Sequence, residues 1–141
     1  YQMAAACEAA AAHLGFALWT VDEEERLGHQ RQALEASQAA LDIYEAVGVV
    51  RPIECNSQEI LYRHSKALAV NGRRAEANEY LRQAYEEMMR KHALIPADSH
   101  FRRTYLENIA LHREIRRAYA VSSMQIEWDG SRVRLQFGED T

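Results

Sequence analysis

Residues 57–91, SQEILYRHSKALAVNGRRAEANEYLRQAYEEMMRK, decide how this chain folds. To the left of Val70-Asn71-Gly72-Arg73-Arg74, the residues Ile60, Leu61, His64, Ser65, Leu68 and Ala69 recur at the three/four spacing of a helix with one buried face. To the right, Ala77, Tyr80, Leu81, Ala84, Tyr85 and Met88 do the same. A helix that stops at Asn71-Gly72 needs left-handed backbone there, which glycine adopts without a Cβ penalty. Two amphipathic helices on so short a connector fold back antiparallel. The stretch is a helical hairpin, and its neighbours are built from the same part.

Toward the N-terminus, Thr20–Gly28 is acidic, and Asp22 with Glu25 three residues on has the form of a capping box. Its acids therefore start a helix that runs through Leu27 to Val47, with Leu34, Ala40, Leu41, Tyr44 and Val47 on the buried side. Residues 2–19, QMAAACEAAAAHLGFALW, are strongly helix-favouring, and their small side chains allow close packing. Gly48 and the link Val49-Val50-Arg51-Pro52 separate this first pair from the central hairpin, which Asn56 or Ser57 caps. Toward the C-terminus the central hairpin ends near His92, before Pro96. Asp98 or Ser99 caps a fifth helix from about His100 to Tyr119, with Phe101, Tyr105, Leu106, Ile109, Ile115 and Tyr119 as its stripe. After Ala120 the period changes to two. Met124, Ile126 and Trp128 alternate with polar residues up to Asp129-Gly130, and Val133, Leu135 and Phe137 alternate after it. That pattern predicts a β-hairpin of about 124–128 and 131–137. A lone hairpin is marginal in water, so its apolar face is expected to lie on the helices.

The bulk numbers agree with one helical domain. The 141 residues are 48% hydrophobic and 27% charged, with only two prolines and six glycines. The net charge of −4 is unevenly spread: residues 1–50 hold two arginines against eight acids, and residues 51–120 hold thirteen basic residues against nine acids. Such faces are first of all solvated helix surfaces. Cys7 and Cys55 have neither metal nor disulfide-framework spacing, and read as small buried hydrophobes of a reducing compartment. The sequence shows no membrane span and no signal peptide, so a cytoplasmic location is expected. The opening at Tyr1, already in helical sequence without an initiator Met, reads as a piece of something longer.

The helices also repeat. Ala33, Ala40 and Leu41 recur 44 residues later as Ala77, Ala84 and Tyr85, and Leu61, Ser65 and Leu68 recur at a shift of 45 as Leu106, Ala110 and Arg113. A fixed period of this size means stacked helical pairs. On Leu61, Ser65, Leu68, Gly72, Ala77, Leu81 and Ala84 the chain resembles the tetratricopeptide repeat family. Leu14-Gly15 and the phrase ALDIYEAVG (residues 40–48) are similar to that family's earlier helices. It departs in its longer period, in Ser37 where a large residue is usual, and in His64 where an apolar one is. The resemblance covers about residues 1–119. Within it, FRRTYLENIALHREI (residues 101–115) is similar to the closing helix of repeat regions in bacterial multidomain signalling ATPases, nucleotide cyclases and LuxR-type regulators.

The expected architecture is thus all-α: an antiparallel helical-hairpin solenoid of about five helices over residues 1–120, with residues 121–141 forming a β-hairpin lid and short tail of the same domain. The resemblance implies a concave face lined by the first helix of each pair. Carried over residue by residue, it places Phe16 and Trp19 there, then Glu59, Tyr62, Arg63 and Lys66, then Glu107 and Leu111. Aromatic anchors beside charges suit a peptide-binding groove; the plainer reading keeps Phe16 and Trp19 as ordinary core. The expected function is a non-catalytic protein- or peptide-interaction module of a larger bacterial regulator. The alternatives are a homodimerisation module through the first helix or the hairpin edge, and a small-molecule sensor. No catalytic, cofactor or metal constellation is legible, and His13, His29, His64, His92, His100 and His112 read as packing or surface residues. The acidic balance, and the acids that interleave Arg102, Arg103, Arg113, Arg116 and Arg117, disfavour nucleic acid.

Overall fold

Over the residues that the computed structural model describes, 2–47 and 56–123, the chain is all-helical. The helices are α1 (Gln2–Trp19), α2 (Glu23–Val47), α3 (Ser57–Val70), α4 (Arg74–Ala93), α5 (His100–Glu107) and α6 (residues 110–123). The expected link at 48–52, Cys55, and the expected β-hairpin at 124–128 and 131–137 lie outside the described residues.

The first pair turns at Thr20–Asp22. Asp22 Oδ1 accepts from the backbone N–H of Glu24 at 2.8 Å and of Glu25 at 3.2 Å, so it caps α2 as its position predicts. The reverse arm of the box differs: the Glu25 carboxylate lies 3.9 Å from His29 Nε2. The central turn carries a two-bond C-terminal cap. Arg73 N–H donates to Leu68 O at 3.0 Å and Gly72 N–H to Ala69 O at 3.1 Å, around Gly72 at φ 79°. Asn71 Nδ2 ties this turn to the neighbouring pair through Gln30 O at 2.7 Å. α1 packs on α2 and α3 on α4, while α2 and α1 both touch α3. Residues late in α3 meet residues early in α4, and the reverse, as Ser65 with Ala77 and Ser57 with Glu87 show; the pair is antiparallel.

α3 is the central element. Ile60, Leu61, Tyr62, His64, Ser65, Ala67 and Leu68 are all buried, leaving little more than Lys66 and its last turn exposed. Its apolar side joins Cys7, Leu41, Leu81, Met88 and Ile115 in the main core, while Leu14, Ala33 and Ala67 form a second cluster. Burying each large aliphatic side chain here is worth about 1.5–3 kcal/mol. Ala33 and Ala77, and likewise Ala40 and Ala84, are buried pairs 44 residues apart, so the repeat seen in the sequence is also a repeat of packing.

Three expectations are corrected. The fifth helix is not continuous. It breaks at Asn108-Ile109, so the described residues hold six helices, and of the expected stripe Phe101 and Ile109 are exposed, Ile109 within the break itself. The carbonyls left unpaired at the end of α5 are taken by side chains of α6: His112 Nδ1 donates to Tyr105 O at 2.6 Å and Arg113 to Glu107 O at 2.7 Å. In α3, Asn56 stands at the N-cap but its side chain makes no capping bond, and the Ser57 hydroxyl donates to Glu87 at 2.7 Å. Of the two residues expected to cap α5, Ser99 does so, accepting from Phe101 N–H. The helical run expected to end near Tyr119 also continues, since α6 extends to residue 123.

Candidate functional site

The inner face of α1, α3 and α6 encloses a cavity of about 680 Å³. One wall is built from α3 residues three and four apart: Glu59, Tyr62, Arg63 and Lys66 lie on one side of that helix. Arg63 fixes the wall to α1, donating to the mid-helix carbonyl of Cys7 at 2.6 Å and to Glu59 at 2.5 Å. The Tyr62 phenol is pushed up to about 12, first by burial and then by the Glu114 carboxylate near it. It therefore remains a hydroxyl beside Glu114. Lys66 Nζ lies 5.5 Å from the centre of the Tyr62 ring, a cation on an aromatic face.

The charge balance of the cavity follows from these contacts. Of its two acids Glu59 is paired with Arg63, and Glu114 lies near the Tyr62 phenol. Among the described residues no carboxylate reaches Lys66, and Arg26 has only a 3.7 Å contact with an exposed Glu23. Leu14, Leu18, Val70 and Leu111 supply apolar wall. The site is an apolar pocket with surplus positive charge at its rim.

Of the eight residues named from the sequence, the structure brings five together on this cavity: Glu59, Tyr62, Arg63, Lys66 and Leu111. Phe16 and Trp19 do not line it. They are exposed, with the Phe16 ring 5.3 Å from that of His29 on α2. Glu107 lines a second cavity, of about 550 Å³, with Tyr85, Arg113, Arg116, Arg117 and Tyr119. The face of α1 that reaches the first cavity is Ala11, Leu14, Gly15 and Leu18. The stripe Cys7, Ala10, Leu14 and Ala17, which is buried, was the signal that could have set that phase, but alanine on every side of α1 hides it. Arg26 and Gln30 come from another helix, and no local pattern announces them.

No family model, no curated protein and no solved structure matches this chain.

The histidines are held by the fold. Ser37 donates to Leu34 O at 3.0 Å, so His64 Nδ1 supplies the proton in its 2.9 Å contact with Ser37 Oγ. These are the two residues by which the sequence departs from the repeat pattern, and they meet: the small Ser37 leaves room for the His64 ring and satisfies it. His112 accepts from Gln58 Nε2 at 3.0 Å, and Gln58 Oε1 accepts from Lys91 at 2.7 Å. Burial lowers the pKa of His64 and of His112, with Arg73 and Lys91 adding to it. Among the described residues no group of three His, Cys, Asp or Glu side chains is placed to hold a metal ion, and no helix is long and apolar enough to cross a membrane.

Proposed function

We propose that the chain is a non-catalytic interaction module of the tetratricopeptide-repeat kind, serving a larger regulatory protein. Its partner segment presents apolar side chains and at least one carboxylate. The observation that supports this is the charge balance of the cavity: Leu14, Leu18 and Leu111 with Tyr62 offer anchors, and Lys66 and Arg26 remain to orient an acid. The stacking of α1–α2 on α3–α4 supports the repeat reading, as do the buried alanines 44 residues apart.

The test is selection of peptides on the full chain, followed by titration of the winners against Lys66→Glu and Arg26→Glu. Both positions are exposed, so the fold is retained. Selected sequences rich in Leu or aromatic residues with Asp or Glu, weakened about tenfold or more by either reversal, support the reading. Peptides that bind both variants as they bind the parent overturn it. A small-molecule sensor is the second reading, favoured by a volume that falls within the range of small-ligand pockets. Thermal-shift screening against apolar carboxylic acids separates the two.

A further inference from the structure

A different pair of surfaces carries an inference that does not rest on the groove. At the turn between α1 and α2, Phe16, Trp19 and Val21 are 57%, 88% and 100% exposed. Asp22, Glu23, Glu24 and Glu25 follow at once, and no basic residue occurs from 16 to 25. Single exposed apolar side chains are ordinary, but these three and the exposed Leu18 make four within six residues, and joined to four acids they form a patch. On other elements, the second cavity opens between α4 and α6. Tyr85 and Tyr119 stack there with ring centres 4.1 Å apart and 8° between planes. Arg113, Arg116 and Arg117 stand beside them. Arg113 donates to Glu107 O, whereas Arg116 and Arg117 pair with no carboxylate among the described residues.

We propose that the acidic, aromatic tip of one copy docks into the arginine–tyrosine cavity of a second copy. Guanidinium planes take both of the chemistries the tip offers, carboxylate by paired N–H donors and indole by its face. The cavity holds three arginines against Glu107, and the tip holds four acids. Both halves of this match lie in one sequence, so a second copy always brings the fitting surface. The two patches share no residue, which makes the contact heterologous: it closes as a reciprocal dimer or grows as an open chain. Being largely electrostatic at exposed groups, it weakens as salt rises.

The experiment is sedimentation of the full chain across a concentration series, at low and high salt. The variants are a tip pair, Trp19→Ala with Val21→Ser, and a cavity pair, Arg116→Glu with Arg117→Glu, each also mixed with the other. All four side chains are exposed, and circular dichroism confirms the fold; Arg116→Gln with Arg117→Gln is the milder cavity variant. The parent is expected to gain mass with concentration and lose it in salt, and each variant alone to remain a monomer. An equimolar mixture restores a two-copy complex, since one intact tip then meets one intact cavity. A parent that stays monomeric at every concentration overturns the proposal. So does either variant associating as the parent does, or a mixture that fails to recover.

Discussion

An added Cβ meets nothing within 4 Å at Gly72 or at Gly28, yet the same substitution has opposite signs at the two. Gly72 holds φ 79°, where an L side chain is strained, so Gly72→Ala is expected to cost about 1 kcal/mol. Gly28 lies inside α2 with ordinary helical backbone, so Gly28→Ala is expected to add about 0.5–1 kcal/mol. Urea denaturation of the two variants checks both signs. The turn glycine was legible because turn chemistry is local. The partnership of Ser37 with His64 was not, although both residues stood out from the repeat pattern. It links α2 to α3, and only packing brings residues 27 positions apart within 2.9 Å.

At the scale of elements, α5 and α6 depart most from the periodic reading. Residues 100–119 contain neither Gly nor Pro, so the one local mark of a break is Asn108 itself, a weak stop signal at the C-cap of α5. Tertiary contacts reward it: it lets His112 reach Gln58 and the Tyr105 carbonyl while Ile115 enters the main core. Ile115 is fully buried and anchors α6. Ile115→Ala is expected to cost about 2–5 kcal/mol. Because α6 supplies Leu111 and Glu114 to the first cavity, the variant should also speed amide exchange in residues 110–123 before the rest of the chain; exchange unchanged there would remove Ile115 as the anchor. α4 shows the opposite balance. Its exposed pairs, Arg82 with Glu79 and Glu86 and Arg90 with Glu87, follow from sequence spacing alone and add little stability each.

For the whole molecule, two buried neutral histidines make stability depend on pH. Folding lowers the pKa of His64 and His112 below the usual 6.5, so the unfolded chain binds more protons as pH falls through that value. Stability is full above about pH 6.5 and declines from there toward the lowered values, while Glu87, held near 2 chiefly by Arg90, stays ionised throughout. Protonated His112 would set an N–H against the Gln58 amide with Lys91 close by. The midpoint of thermal unfolding should fall between pH 7 and pH 5, and His64→Leu, which leaves Ser37 bonded to Leu34 O, should flatten that fall. An equal slope in parent and variant would assign the loss elsewhere. What the sequence by itself determined is what depends on neighbours in the chain: the all-helical body, the central hairpin and its glycine turn, the Asp22 and Ser99 caps, and the 44-residue recurrence of small residues. What only the tertiary structure decided is phase and partnership. It chose which side of an alanine-rich α1 faces the cavity, where α5 gives way to α6, and that Arg26 joins Lys66 at one rim. The reason is physical: periodicity and caps are properties of one helix, whereas a cavity exists only once helices distant in sequence have packed.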